Sequence, residues 1–306
     1  MSVVVPCYRD EDNLPALFDR VGRTFDETGW NAELVIVDDG SPDRTGLVAT
    51  QLAQTFSHPV LVVRLLRNFG QHPAVFAGLA ESRGSVIVTM DSDLQYPPEA
   101  IPRLVEGLDD DTSVVSGYRS NRRDPMLRRL ITRALSSWLR KRTGADLRDF
   151  GSMFRAYDRS TVDLLLSFRE QRRYIPALVA WLGVPVKEIP IEHSPRGSTG
   201  SRYRLGPLVD MLLDIVTGYA LFPLRLVLAL GLVGAGIGFA ATLGFIVYRI
   251  AIGAGVARQV SAYALLFFLL GVQLLVMALV GEYVGRVYTE VKGRPYYIVR
   301  EVIRHD

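Results

Sequence analysis

The chain has 306 residues, enough for one large domain with an attachment or for two ordinary domains. Its single cysteine, Cys7, excludes an internal disulfide and fits a reducing compartment. The formal net charge of +3 says little about partners, and no cluster of residues has the spacing of a zinc site. The N-terminal residues lack a basic segment followed by a long apolar stretch, so no signal peptide is expected.

The first 117 residues alternate short β-branched runs with stretches of helical periodicity. The runs predict strands at residues 2–6, 32–39, 60–66, 84–91 and 113–117, with helices at 12–27, 43–56, 72–82 and 98–108 between them. This pattern is typical of an α/β fold with a mostly parallel sheet wrapped by helices. In such sheets ligands bind beyond the carboxyl ends of the strands.

Acidic residues follow three of these strands, in "PCYRDED", "DDGSPD" and "DSD". Asp91 and Asp93 are two positions apart, so on a strand they share a face, where like charges repel unless a cation lies between them or one carboxyl is protonated. A divalent metal is the favoured interpretation, and a solvated loop of ordinary turn residues is the alternative. Ser41 and Asp43 are interpreted as a helix cap. The chain has no glycine-rich phosphate loop, so a phosphate ligand here needs metal and arginines for neutralisation.

A basic segment follows, with nine basic residues and one acid between positions 119 and 142. Its leucines, isoleucine and tryptophan repeat at helical spacing, which predicts an amphipathic helix over 126–142 at a membrane surface. A nucleic-acid-binding helix is the alternative, disfavoured by the apolar stretches further along the chain. His72 and His193 are expected to be structural or to support other site residues.

Two stretches of 23 residues without a charge, Leu226–Tyr248 and Gln259–Gly281, predict two transmembrane helices joined by a short hairpin. Buried helices of a large soluble core are the alternative. Basic residues on both outer flanks predict that both ends of the chain lie in the cytoplasm. The expected organisation is a catalytic domain at 1–204, a juxtamembrane amphipathic helix at 205–222, a membrane hairpin at 223–284 and a cytoplasmic tail at 285–306.

Several motifs in order, "VVVPCYRDEDNL", "VIVDDGSPD", "RNFGQHPAVFAGL", "DSDLQYPPEAIPRLV", "DFGSMFRAY" and "GSRY", are followed by the two apolar stretches and "GEYVGRVYTEVKGRPYYIV". Together they resemble family 2 glycosyltransferases that act on polyprenyl phosphates, over nearly the whole chain. Within that family the chain is most similar to undecaprenyl-phosphate aminoarabinose transferases and phage-type glucosyl transferases, and more distantly to dolichol-phosphate mannose synthase.

The resemblance implies a GT-A fold, Mg2+ or Mn2+ as cofactor, and transfer of one sugar from a nucleotide to undecaprenyl phosphate with inversion, with a uridine nucleotide as the favoured donor. It implies an integral protein of the bacterial inner membrane, a cytoplasmic catalytic domain, a role in cell-envelope glycan modification and a tetramer. The metal ligands implied are Asp91, Asp93 and Gln95. Further residues implied to bind the nucleotide sugar are Pro6, Tyr8, Asp10, Asp38, Asp39 and Asn68. Residues implied to meet the acceptor phosphate are Arg119, Arg128, Thr132, Arg196, Ser201 and Arg202.

Asp93, Arg128 and Asp149 are the expected catalytic residues, with Asp149 orienting substrate or stabilising charge. An acceptor phosphate is already ionised at neutral pH, so the attack needs no general base, and placement and charge stabilisation remain for the protein. The chain departs from the family pattern at Arg9 and Asp10, and at Thr199 and Arg202. The alternatives are a GDP-mannose-dependent mannose synthase, a processive polysaccharide synthase and a non-catalytic nucleotide-sensing module. The polysaccharide synthase is disfavoured because the chain lacks a Q-x-x-R-W element.

Overall fold

The computed structural model describes residues 1–119, 152–170, 173–191 and 258–305. Contacts divide the chain into two units, one formed by Met1–Ser201 with Pro295–Asp306 and the other by Arg202–Arg294.

In the described ranges, the first unit contains eight strands in one sheet. The strands are β1 (Ser2–Cys7), β2 (Glu33–Asp38), β3 (Val60–Leu65), β4 (Val86–Thr89), β5 (Val114–Arg119), β6 (Arg155–Asp158), β7 (Val186–Ile191) and β8 (Val299–His305). Their order across the sheet is β7-β5-β6-β4-β1-β2-β3-β8. Strands β1 to β4 are parallel to their neighbours within the group, β6 is antiparallel to both β4 and β5, and β8 is antiparallel to β3. The predicted parallel α/β sheet is therefore confirmed.

The helices of this unit are α1 (Leu14–Thr28), α2 (Thr45–Ala53), α3 (Gln71–Glu81), α4 (Ile101–Val105), α5 (Arg159–Ser167) and α6 (Ile175–Leu182). A 3-10 turn at Pro98–Ala100 precedes α4. The four helices predicted between the strands all form, with ends that differ by a few residues from those expected. Helix α1 ends where Gly29 takes a left-handed φ of 63° and its N–H bonds the Phe25 carbonyl.

The core forms on both faces of the sheet because the central strands are continuous apolar runs. Val3, Val5, Leu34 and Ile36 are fully buried in the cluster that also contains the apolar face of α1. On the opposite face α3 lies so close to β1 that a Cβ on Gly78 would be 2.3 Å from a Val4 methyl. The strand order reverses direction at β1, with β2 on one side and β4 on the other, and such a switch point opens a crevice at the carboxyl edge.

The C-terminal segment takes part in the sheet of the first unit. Residues 299–305 form β8, which completes the edge of the sheet beside β3. The segment is further held by Tyr296, whose hydroxyl donates to the Arg173 carbonyl and whose ring packs edge-on against Phe76. An edge strand such as β3 presents unpaired N–H and C=O groups, and β8 satisfies them.

The second unit is described only in part, by helix α7 (Arg258–Val291) of 34 residues, which includes the stretch predicted as the second span. Among the residues that the structure describes, none of the helices is long and apolar enough to cross a membrane. The first predicted span, the interfacial helix at 126–142 and the juxtamembrane helix at 205–222 lie outside the described residues.

Candidate active site

The loops at the carboxyl ends of β1 and β4 are joined through Asp10. Its carboxylate accepts hydrogen bonds from the Tyr8 backbone N–H at 3.0 Å, the Asn13 amide at 3.0 Å and the Ser92 hydroxyl at 2.7 Å. Its own backbone N–H donates to the Thr45 hydroxyl at the start of α2. Asp10 therefore fixes the loop after β1 against the loop that carries the two aspartates around Ser92.

Asp39 holds the loop after β3. Its side chain is almost wholly buried, and its two oxygens accept the backbone N–H groups of Phe69 at 2.7 Å and Gly70 at 2.8 Å. Burial raises the pKa of this carboxyl, while the two hydrogen bonds act in the opposite direction. Asp39 thus sets the position of the loop that contains Asn68.

Asp38 faces the other side of the sheet from Asp39, since successive residues of a strand point to opposite faces. It is 2% exposed, accepts the Ser41 N–H at 2.9 Å and lies 3.5 Å from the Arg64 guanidinium. Ser41 does not cap α2; its hydroxyl accepts the Arg9 N–H. Asp43, just before the helix, accepts the Thr45 N–H, although the residue at the N-cap position is Arg44.

The loop between Asp38 and Ser41 is built around Gly40. Gly40 has a φ of 61°, and a Cβ there would lie 2.3 Å from the Arg67 carbonyl carbon. Only glycine fits this turn, because both the backbone conformation and the close approach of the neighbouring loop exclude a side chain.

Asp91 and Asp93 lie on the loop after β4 and are only partly buried, unlike Asp38 and Asp39. Asp91 Oδ1 accepts a hydrogen bond of 2.6 Å from the Gln71 amide at the start of α3. Asp93 Oδ1 accepts the Gln95 backbone N–H at 3.1 Å. Between Asp93 and Gln95, Leu94 has a φ of 55°, a conformation that costs a bulky residue on the order of 1 kcal/mol. The strained turn brings the Gln95 N–H to Asp93, and the Gln71 amide orients Asp91.

The remaining residues predicted for the nucleotide lie around the same edge. Pro6 is partly exposed near the end of β1, Asn68 is exposed after β3, and Tyr8 is 41% exposed. The Arg9 guanidinium lies 5.4 Å from the centre of the Tyr8 ring. An exposed aromatic ring at a strand end offers a face on which a planar base can stack.

Of the residues predicted to contact the acceptor phosphate, one lies within the described part of the chain. Arg119 is the last residue of β5, which runs parallel to β4, so it lies at the same edge as the aspartates. The others lie outside the described residues, as does the catalytic candidate Asp149; they are Arg128, Thr132, Arg196, Ser201 and Arg202.

The carboxylates at this edge suit a hard divalent cation, which prefers oxygen ligands. Asp91, Asp93 and Gln95 offer carboxylate and amide oxygens within one short loop. In the part of the chain that the structure describes, no three acidic, histidine or cysteine side chains form a complete metal cage. Such a donor set fits an ion whose shell is completed by a ligand such as a diphosphate.

Two buried groups near the site are excluded as proton carriers near neutral pH. Burial raises the pKa of the Cys7 thiol well above its usual range, and the charges of Asp10 and Asp38 raise it further. Burial, followed by the charge of Arg155, lowers the pKa of His72 to about 4, so this histidine is neutral. His72 packs against Tyr174, which agrees with the structural role expected for it.

Sequence reasoning missed three residues that support the site: Arg64, Gln71 and Glu301. Arg64 lies in an apolar strand, and the only local signal for it was a charge within "VLVVRLL". Gln71 follows a glycine at a strand-to-helix junction, a position whose side chain faces the carboxyl edge. Nothing near Glu301 in the sequence points to the site, because its partner lies 237 residues away along the chain.

The solved structures similar to this chain share its fold. Glucosyl-3-phosphoglycerate synthase from Mycobacterium tuberculosis, in complex with Mn2+, uridine diphosphate and glucosyl-3-phosphoglycerate, aligns with a TM-score of 0.52 and 22% identity over 70% of this chain and 76% of its own. The same enzyme with Mn2+ and UDP-glucose also gives a TM-score of 0.52 at 22% identity, over 70% of this chain and 76% of its own. These matches confirm the expected GT-A-like α/β sheet.

The relatives in sequence are similar over almost their whole length. The undecaprenyl-phosphate 4-deoxy-4-formamido-L-arabinose transferase of Aeromonas hydrophila is 38% identical over 99% of this chain and 94% of its own length. The enzyme of the same name from Pseudomonas paraeruginosa is 40% identical over 99% of this chain and 90% of its own. The family model described as "Glycosyl transferase family 2" matches residues 2–162. The chain is therefore a glycosyltransferase and belongs to glycosyl transferase family 2.

Proposed function

We propose that the protein transfers one sugar from a uridine-diphosphate sugar to the phosphate of undecaprenyl phosphate, with inversion at the anomeric carbon. The sugar we propose is 4-deoxy-4-formamido-L-arabinose, the one in the names of relatives that are 37–40% identical over 99–100% of this chain. The observation that carries the proposal is this whole-length similarity together with the convergence of Asp10, Asp39, Asp91 and Asp93 at one edge.

The donor binds across the switch point in this proposal. Tyr8 stacks on the base, while Asp10 and the loop held by Asp39 form the walls beside the base and ribose. The diphosphate lies towards Asp91 and Asp93. Two carboxylates beside a diphosphate would repel it, so a cation is required there.

Asp91, Asp93 and Gln95 would hold Mg2+ or Mn2+. The ion, when bound, neutralises the diphosphate and stabilises the charge that develops on the leaving group. The Gln71 amide donates to Asp91 and so keeps one carboxylate oxygen oriented, and the turn at Leu94, between Asp93 and Gln95, brings the Gln95 N–H to the Asp93 carboxylate.

The acceptor supplies its own nucleophile. An oxygen of the lipid phosphate attacks the anomeric carbon, the bond from that carbon to the diphosphate oxygen breaks, and uridine diphosphate leaves with the electron pair. The chain's part is then to orient both phosphates and to hold water out. We assign contact with the lipid phosphate to Arg119, Arg128, Thr132, Arg196, Ser201 and Arg202. We assign the orientation of the substrates to Asp149.

A lipid acceptor requires that the enzyme work at a membrane, and we place it at the cytoplasmic face of the bacterial inner membrane. Support comes from the basic segment at 119–142 and from the uncharged stretch of 23 residues at 226–248, which is the proposed anchor. A tetramer stays a prediction from the resemblance.

The test is a transfer assay with the purified full chain in detergent. The protein is incubated with undecaprenyl phosphate, Mn2+ and one radiolabelled donor at a time: UDP-4-deoxy-4-formamido-L-arabinose, UDP-glucose, UDP-galactosamine or GDP-mannose. We expect label in the extracted lipid with the formamido sugar. Label only with GDP-mannose would favour the mannose synthase, and nucleotide binding without transfer from any donor would favour the sensing module.

A further inference from the structure

A row of side chains connects the C-terminal strand to the donor site. The strand register places Cys7 beside Asp38, Asp38 beside Arg64, and Arg64 beside Glu301, across β1, β2, β3 and β8. Side chains opposite one another on neighbouring strands share a face, so these four lie in a line across the sheet.

The charges in this row alternate in sign. The Arg64 guanidinium bonds the Glu301 carboxylate through Nη1, and its Nε lies 3.5 Å from Asp38 Oδ2. The side-chain exposure rises outward along the row, from 3% for Asp38 to 30% for Arg64 and 40% for Glu301. Asp38 is the buried charge, and Arg64 is its countercharge.

Helix α2 covers the inner part of the row. A Cβ on Gly46 would lie 2.4 Å from Asp38 Oδ2 and 2.6 Å from Arg64 Nε, so only glycine allows the helix to pack here. The other Asp38 oxygen accepts the Ser41 N–H, which fixes the loop between β2 and α2. Any shift of Arg64 therefore disturbs Asp38 and, through it, the loop at Asp39, Gly40 and Ser41.

We propose that Glu301 is a positioning residue for donor binding: it holds Arg64 against Asp38 and thereby fixes the loop after β2 in the shape that receives the nucleotide. The C-terminal strand, which follows helix α7 in the chain, thus becomes part of the donor site without touching the donor. This inference rests on the proposed nucleotide-sugar binding, because it assigns the loop after β2 to that ligand.

An arginine paired with only one carboxylate can turn away from it. Arg64 is long and partly exposed, and without Glu301 its guanidinium gains freedom to point to solvent. Asp38 would then be a buried carboxylate whose remaining described partner is a backbone N–H, which is unfavourable for a charge in the interior. The loop is expected to rearrange to bring water to it.

The experiment measures the affinity of the full chain in detergent for uridine diphosphate with Mn2+, by isothermal titration calorimetry. The variants are Glu301→Gln, Arg64→Gln and the two combined, with Arg300→Gln on the exposed side of the same strand as the matched control. Glu301→Gln keeps the size of the side chain and removes its charge. We expect the Kd to rise about fivefold in Glu301→Gln and about tenfold or more in Arg64→Gln.

The combined variant separates positioning from a general loss of stability. Because Glu301 acts through Arg64, Glu301→Gln is expected to have no further effect in the Arg64→Gln background. In the transfer assay the donor KM rises in Glu301→Gln, whereas kcat and the KM for the lipid stay close to those of the wild type. Arg300→Gln is expected to stay within about twofold of the wild type in every measurement.

Two results would overturn the inference: a Kd in Glu301→Gln within twofold of the wild type, or an equal effect of Glu301→Gln with and without Arg64. If Glu301→Gln does not fold, Glu301→Asp replaces it, since one methylene less withdraws the carboxylate from Arg64 at unchanged charge. Failure of the wild type itself to bind uridine diphosphate would instead count against the proposed function.

Discussion

The ends of β2 and β4 each carry two aspartates, and the two pairs differ in burial and in hydrogen bonding. Asp38 and Asp39 are 2% and 3% exposed; Asp38 accepts the Ser41 N–H of its own loop, and Asp39 accepts two N–H groups of the loop after β3. Asp91 and Asp93 are partly exposed on a loop with a strained turn directly after Asp93, at Leu94. The same residue type thus builds the wall of the site at one strand end and faces the crevice at the next.

The comparison indicates which aspartate substitutions should affect stability and which should affect turnover. A buried carboxylate that accepts two backbone N–H groups is a structural element, and its loss leaves donors unpaired. A half-buried carboxylate beside a crevice contributes less to stability and lies where a ligand's cation can reach it. Stability and turnover are therefore expected to separate between the two pairs.

The largest effect is expected for Asp93→Asn. The substitution removes a negative charge from the proposed metal site, so kcat should fall by about a hundredfold to a thousandfold. The thermal unfolding midpoint should stay near that of the wild type. The measurement is the transfer assay combined with calorimetric melting. Asp110→Asn in the exposed turn after α4 is the control and should change neither property.

Gly40→Ala tests the wall at the end of β2. The left-handed φ of 61° and the approach of the Arg67 backbone leave no space for a methyl group. We expect the free energy of unfolding to fall by roughly 3 kcal/mol, measured by urea denaturation. A fully stable Gly40→Ala protein would contradict the close packing of these two loops.

Asp39→Asn tests the same wall through hydrogen bonding. An amide has one acceptor oxygen for the two N–H groups of Phe69 and Gly70, so we expect a loss of about 2 kcal/mol in the free energy of unfolding. Donor KM should rise more than kcat falls, because the loop containing Asn68 is released.

The stability difference between the wild type and Asp39→Asn should also depend on pH. Burial raises the pKa of Asp39 above its ordinary value of 3.8, so the unfolded chain releases this proton at a lower pH than the folded one. Rising pH therefore removes stability until the folded carboxyl has ionised. The advantage of the wild type should be larger near pH 4 than near pH 7. An advantage that grows with pH would mean that the two hydrogen bonds outweigh burial.

The smallest effect is expected for Gln71→Ala, at the start of α3, which tests the hydrogen bond to the loop after β4. Its amide only orients Asp91, so kcat should fall by severalfold, on the order of one lost hydrogen bond to a charged group. Stability should be unchanged, because the side chain is exposed. An effect as large as that of Asp93→Asn would show that Gln71 itself contacts the substrate.

The central strands and the acidic edge were predictable from the sequence because their signals are local. Apolar runs such as Val60–Leu65 indicate buried parallel strands, and acidic residues directly after them lie at the carboxyl edge for any such sheet. The different roles of Asp39, which holds a loop, and Asp91, which is proposed to bind the metal, were not predictable. They depend on which donors approach each carboxylate, the Phe69 backbone N–H at Asp39 and the Gln71 side-chain amide at Asp91, and those donors lie 30 and 20 residues away along the chain.

The C-terminal strand shows a second limit of prediction from the sequence. Residues 299–305 form a short run whose partner, β3, lies more than 230 residues earlier, so no local pattern indicates the pairing. The sequence therefore predicted only a cytoplasmic tail at 285–306. Its ionic contact with Arg64 became visible only once the sheet order was known.

The most direct test of the account is the Mn2+ dependence of uridine diphosphate binding in Asp39→Asn and Asp93→Asn, measured by calorimetry on the full chain in detergent. We expect Mn2+ to strengthen binding in the wild type and in Asp39→Asn, with a weaker absolute affinity in the latter, and to have no effect in Asp93→Asn. Binding to Asp93→Asn that Mn2+ strengthens as much as in the wild type would contradict the assignment of Asp91 and Asp93 as ligands of the cation.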